Sequence, residues 1–290
     1  MINATVYSSM PLWAFLALTG LSFGAIAMAL WPEMFFKRPA LSLWQRAALT
    51  AALAWTHEAV GAAEMMIGSL PCMAVLGPKT QANWTHFAAG FMIVRAIVYL
   101  LPWLFVHRLR NAISFRMRGT RMALIFLPPL AIGLLSFAEI LDPNWSGRNF
   151  FMLYCMLTGL VEETLYRGYA FQLNPEKRPR EAIIVTSVIF ALAHLPSSLH
   201  QNRSTPLHLL FVFFFAVGLG VVRLSTGSIG LCILIHGLFD MLVHVNDPAV
   251  FQIVAPVVAV STMAALHFHP ACRKTGEIEP EVGGLLPAGA

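Results

Sequence analysis

Apolar runs long enough to cross a membrane recur from Pro11 to His267, each close to the roughly 20 residues that a helix needs to traverse about 30 Å of hydrocarbon. Within lipid, backbone N–H and C=O groups must be satisfied inside the segment or in a closed barrel, so runs of this length read as helices. They can be drawn at 11–31, 47–69, 85–106, 122–141, 150–173, 182–199, 207–224, 228–245 and 249–267. The expected fold is therefore all-α, a polytopic transmembrane helical bundle with about 8–9 spans. The second run is interrupted by His57, Glu58 and Glu64, and a re-entrant or interfacial segment would look similar.

Composition agrees with that solvent. Of 290 residues 58% are hydrophobic and 11% charged, less than half the charged share of an ordinary soluble domain. The net charge of +5 does not point to nucleic acid, because the basic residues sit in short loops between apolar runs, where they set orientation. Cytoplasmic loops carry the excess of Lys and Arg. With nine spans, one topology puts Lys37, Arg38 and Arg46, the cluster Arg108, Arg110, Arg116, Arg118 and Arg121, then Lys177, Arg178 and Arg180, and finally Arg273 and Lys274 on one side. The opposite loops hold Lys79, Arg148 and Arg203. This orientation leaves the N-terminus outside and the C-terminus cytoplasmic. Cys72, Cys155, Cys232 and Cys272 have no metal spacing and imply no disulfide framework. The N-terminus lacks the basic region of a signal peptide, and residues 270–290, rich in Gly, Pro and Glu, read as a disordered tail.

Ionisable groups are costly in a bilayer, roughly 2.5–3.5 kcal/mol for Asp or Arg at a helix centre, so each asks for a reason. They gather in three runs: Glu162-Glu163-Thr164-Leu165-Tyr166-Arg167-Gly168, Phe190-Ala191-Leu192-Ala193-His194 and His236-Gly237-Leu238-Phe239-Asp240. Residues four apart share a helix face, so Glu163 pairs with Arg167 in the favoured order and His236 sits beside Asp240. Glu162 is turned about 100° away from the Glu163 face. At about 1.5 Å per residue Glu162, His194 and Asp240 lie roughly 18 Å into their spans and His236 roughly 12 Å. Three helices thus put titratable groups at one level near mid-membrane.

Glu-Glu-x-x-x-Arg, then Phe-x-x-x-His, then His-x-x-x-Asn/Asp, each in its own helix, resembles the pattern of the CAAX prenyl protease and bacteriocin-processing (CPBP) family of intramembrane glutamic endopeptidases, which includes abortive-infection types. The resemblance covers Phe150 to Val245. It implies an intramembrane endopeptidase, with membrane lipid around it and a membrane-associated or lipidated protein or peptide as substrate. It also implies that Glu162 and His194 activate water while His236 and Asp240 serve the oxyanion. Glu163 and Arg167 match positions read as structural, orienting Glu162. No cofactor is implied, and the implied location is the bacterial inner membrane. The domain reading is then 1–121 as N-terminal transmembrane helices, 122–269 as the catalytic helical core and 270–290 as a cytoplasmic tail.

Other readings stand beside this one. Zinc held by Glu162, His194, His236 and Asp240 would make a metalloprotease. A non-enzymatic bacteriocin-immunity or scaffold protein is a further alternative, and it should tolerate Glu162→Gln. Many relatives carry Asn where Asp240 stands. An ionised Asp cannot donate to an oxyanion, so Asp240 either holds His236 in a useful tautomer or charge state, or is itself protonated. Cys155 reads as a small buried residue. The run Phe211-Val212-Phe213-Phe214-Phe215 reads as lipid-facing or packing surface, against which a prenyl or acyl chain could lie. His57, Glu58 and Glu64 line a water path, cap a re-entrant turn or form part of a substrate gate, and the sequence leaves the three open.

Overall fold

The computed structural model describes residues 42–68, 148–171, 179–195, 205–245 and 248–268, with isolated positions at 173 and between 92 and 131. Among these residues every regular element is helical and none is a strand. The expected span 11–31, most of 85–106 and 122–141, the basic cluster from Arg108 to Arg121, Cys72, Cys272 and the tail 270–290 lie outside the described residues.

Six α-helices are described: α1 Leu43–Gly68, α2 Arg148–Glu163, α3 Pro179–Ala193, α4 Thr205–Thr226, α5 Ile229–Val245 and α6 Pro248–Phe268. A π-helical segment, Thr164–Ala170, continues α2 without a break. α4 from Pro206 to Thr226 is long and apolar enough to cross a membrane, and Ile229–Leu242 and Val254–His267 are shorter apolar helices. α1 begins at a capping box. The Gln45 backbone N–H donates to Ser42 Oγ at 3.3 Å and the Ser42 N–H to Gln45 Oε1 at 2.8 Å, which satisfies two donors that a helix start leaves open. From there α1 runs uninterrupted for 26 residues, about 39 Å. The continuous helix replaces the re-entrant segment that its charged residues had left open.

Packing builds the bundle pairwise. α5 lies chiefly on α2, α4 on α3 and α6, and α1 on α3 and the π-helical segment. The link between α4 and α5 needs Gly227, whose φ of 68° costs residues with a Cβ but not glycine. Its N–H donates to Arg223 O at 2.9 Å, and Arg223 Nη1 donates to Gly227 O. The two helices therefore fold back on one another over a two-residue link.

The outward faces suit lipid. On α3, Ile184, Val188 and Leu192 form an exposed stripe at i, i+4, i+8, while Ile183, Ser187, Phe190 and Ala191 are buried on the other face. In water such a stripe would mark an interface or an aggregation site, whereas in hydrocarbon it costs nothing. The phenylalanine run of α4 divides between the two environments: Phe211 and Phe215 are buried, and Phe213 and Phe214 are half-buried. Phe215 packs edge-on to Phe126 at 5.7 Å and tilted on Phe239 at 4.7 Å, so this part of the run is core. Cys155 is buried among Phe151, Met152, Met156, Leu238 and Met241, and Cys155 and Cys232 are both free thiols.

Candidate active site

Two glycines let α2 and α5 approach closely enough to bring the acidic pair onto an imidazole. A Cβ on Gly159 would lie 2.8 Å from Ile233 O and 3.0 Å from Gly237 N. One on Gly237 would lie 2.5 Å from Met156 Sδ and 3.0 Å from Met156 Cα. Small residues at such a crossing allow backbones to meet, the usual device of packed membrane helices. One turn beyond Gly159, the side chains of Glu162 and Glu163 reach across to His236.

Glu163 is fully buried, and its Oε1 accepts from Arg167 Nη1 at 3.0 Å and from His236 Nδ1 at 2.8 Å. Arg167, also fully buried, donates from Nη2 to Ala216 O at 2.9 Å on α4. Its guanidinium carbon stands 4.8 Å from the Phe190 ring centroid, within cation–π range. Arg223 Nε donates to Arg167 O at 3.2 Å, which ties the π-helical segment to the end of α4. Glu163 and Arg167 thus form a charge-compensated knot that fixes one nitrogen of His236 and anchors two helices.

The other nitrogen of His236 faces a different set of groups. Nε2 stands 3.6 Å from Asp240 Oδ1 and 3.8 Å from Glu162 Oε2. Both carboxylates are partly accessible, at 23% and 12% of side-chain surface, against 0% for Glu163. The nitrogen held by a short hydrogen bond is therefore the one on Glu163, and Asp240 lies on the opposite, more open side of the ring. The sequence left Asp240 either holding His236 or itself protonated; the structure adds Glu163 as the partner of the other ring nitrogen, Nδ1, at 2.8 Å.

His194 lies in the turn that closes α3, its N–H bonded to Ala191 O at 3.1 Å. The α-helix proper ends at Ala193, one residue before it. His194 Nδ1 is 2.9 Å from Phe190 O. A carbonyl can only accept, so Nδ1 carries the proton and Nε2 is the nitrogen available to the site. Phe190, nearly fully buried, has its ring 4.6 Å from that of His194 and 5.9 Å from that of His236. One aromatic ring therefore packs against both imidazoles and the Arg167 guanidinium. Phe215 closes another side of His236 at 5.5 Å.

Two features escaped the motif reading. The first is His57 on α1, buried, with Nε2 3.8 Å from Glu162 Oε1. Its signal in the sequence was an ionisable residue in an apolar run with no motif to claim it. The second is Arg223, a basic residue in the last turn of an apolar helix. Glu58 is half-buried beside His57, and the side chain of Glu64 lies outside what is described. Among the described residues no three His, Cys, Asp or Glu side chains are placed to hold one metal ion.

Carboxylates and imidazoles gathered inside an all-helical apolar bundle fit the class of membrane-embedded peptidases. Residues 144–242 match a family model described as type II CAAX prenyl endopeptidase Rce1-like. All three motifs fall inside the matched segment, and the resemblance read from them holds there. The matched segment is about a third of the chain. No curated protein matches the chain, and no solved structure does.

Proposed function

We propose that the protein is an intramembrane endopeptidase that hydrolyses a peptide bond of a membrane-associated or lipidated protein or peptide, with water activated by Glu162 and His194. The observation that carries this reading is the placement of Glu162: a partly accessible carboxylate beside a buried knot, with the Nε2 of His236 facing its Oε2 and His194 presenting its own Nε2 from the next helix.

In this mechanism Glu162 accepts a proton from water as the oxygen attacks the scissile carbonyl, and the lone pair on His194 Nε2 orients that water. Glu163 holds the Nδ1 proton of His236, so in its imidazolium form His236 donates from Nε2 toward the developing oxyanion. Donors fixed in advance at such a point are among the largest contributions to catalysis. Asp240 on the same side of the ring steadies that charge. The proton taken by Glu162 then passes to the leaving amine, giving a carboxylic acid and a free amine with no redox change and no cofactor. The bacterial inner membrane, with the C-terminus cytoplasmic, is the setting proposed with this activity.

The test is cleavage of an internally quenched farnesylated CAAX peptide by the purified protein in proteoliposomes. Glu162→Gln keeps the size of the side chain and removes the base, so it should lower kcat by about 10²–10⁴-fold, the usual contribution of general base catalysis. Full activity of that variant would overturn the mechanism, and a scaffold would show no cleavage with either protein.

A further inference from the structure

The family match begins at residue 144, yet one of the groups nearest to Glu162 comes from α1, far upstream. His57 is 6% exposed, and its Nε2 stands 3.8 Å from Glu162 Oε1. The other carboxylate oxygen, Oε2, stands 3.8 Å from His236 Nε2. Each oxygen of the proposed base therefore has its own imidazole, one from inside the matched segment and one from outside it.

The placement of α1 is held independently of that contact. Arg46 Nη2 donates to Glu181 Oε2 at 2.5 Å, which joins the first turns of α1 and α3. From that pair His57 is 11 residues along α1 and His194 is 13 along α3, about 17 and 20 Å at 1.5 Å per residue. Two helices that start together thus deliver an imidazole each to nearly the same height, the height of Glu162. An imidazole away from water is a cost that lipid-facing or packing positions avoid, and this one is turned to the carboxylate rather than outward.

We infer that His57 is a positioning residue of the hydrolytic site: it acts on Oε1 of Glu162 and so fixes the carboxylate plane while Oε2 faces His236 and the reacting water. A glutamate has three side-chain torsions, and a carboxylate touched from one side only can swing. Contact at both oxygens leaves one orientation, and a misplacement of about 1 Å at a reacting group is worth about 10²-fold in rate. Among the described residues, charged and titratable groups of the site include Glu163, Arg167, His194, His236 and Asp240 from the core, with Glu58 adjacent on α1. The inference rests on the peptidase reading, and it extends the functional unit beyond the matched segment to a helix that the motifs do not include.

The experiment compares the wild-type protein, His57→Phe, His57→Leu, His57→Gln and Glu162→Gln in proteoliposomes, with the same farnesylated peptide. His57→Phe and His57→Leu remove the ring nitrogens, and should lower kcat by about 10- to 100-fold with KM held within about twofold. His57→Gln restores an N–H donor and should recover several-fold over the other two. A separate readout is the infrared carboxyl signature of Glu162, assigned by its loss in Glu162→Gln, which should shift in the Phe and Leu variants. Packing alone would move neither that band nor the Gln rescue. Unchanged kcat in His57→Phe or His57→Leu, or a Gln variant no better than these with an unshifted band, overturns the inference. If the wild-type protein leaves the peptide intact, the peptidase reading fails for this substrate, and the infrared band alone decides the role of His57.

Discussion

Glu162 and Glu163 are neighbours in sequence with unlike surroundings. The four-residue spacing to Arg167 was legible from the chain alone, and the 3.0 Å contact is there. Spacing along one helix says nothing about a neighbouring helix, so the bond from His236 Nδ1 to Glu163 was not legible, nor was His57 beside Glu162. This geometry ranks two conservative substitutions. Glu163→Gln removes the charge that Arg167 and His236 share in a fully buried place, and breaking a buried pair from one side costs about 3–5 kcal/mol. Asp240→Asn alters a group 23% accessible and 3.6 Å from the ring, and leaves the Nδ1 anchor intact. Glu163→Gln should therefore lower both the thermal unfolding midpoint in detergent and the cleavage rate by more than Asp240→Asn, which should stay folded and active. Equal effects in both measurements, or the reverse order, would place the anchor of His236 elsewhere.

At the scale of elements, the helical nature of residues 150–171, 207–224, 229–245 and 249–267 was legible because unbroken apolar runs leave few alternatives. Their internal irregularities were not. Nothing in Thr164–Ala170 announces a π-helix, although such segments often occur at functional sites, and here it carries Arg167 into the core. The end of α3 at Ala193, with His194 in a turn, is likewise not marked by hydropathy. Glycines at crossings can be ranked by what a new Cβ would meet. At Gly159 it would meet the backbone, Ile233 O at 2.8 Å and Gly237 N at 3.0 Å, whereas at Gly220 it would meet only the Ile183 side chain, at 3.1 Å. A side chain can yield where a backbone cannot, so Gly159→Ala should cost about 1–3 kcal/mol by overpacking and Gly220→Ala less. Gly159→Ala should also lower activity beyond its effect on stability, because pushing α2 from α5 lengthens the Glu163–His236 contact. Unfolding midpoints and cleavage rates of the two variants check this, and a milder effect at Gly159 would contradict it.

For the molecule as a whole, the division at residue 121 between N-terminal helices and catalytic core follows the motifs, while the packing crosses that division. α1 lies on α3 and on the π-helical segment, held by a buried Arg46 whose partner Glu181 is about one-third accessible. The pair is 135 residues apart in sequence, so no local pattern could have matched them. Because Glu181 reaches solvent, the pair is weaker than a fully buried one. Leaving Arg46 without its partner should cost about 1–3 kcal/mol, the range for a stranded polar group. Reversing each charge alone, as Arg46→Glu or as Glu181→Arg, sets like charges together and should lower the unfolding midpoint. Reversing both restores opposite charges at the same place, so the double variant should regain more than half of the summed loss, a coupling that additive, unconnected sites cannot produce. Cleavage of the farnesylated peptide should follow the same order, because α1 carries His57 to Glu162. Strict additivity of the two reversals in the unfolding midpoint would mean that α1 is not docked through this pair. Coupling in stability with no matching recovery of cleavage would mean that docking α1 does not serve the site.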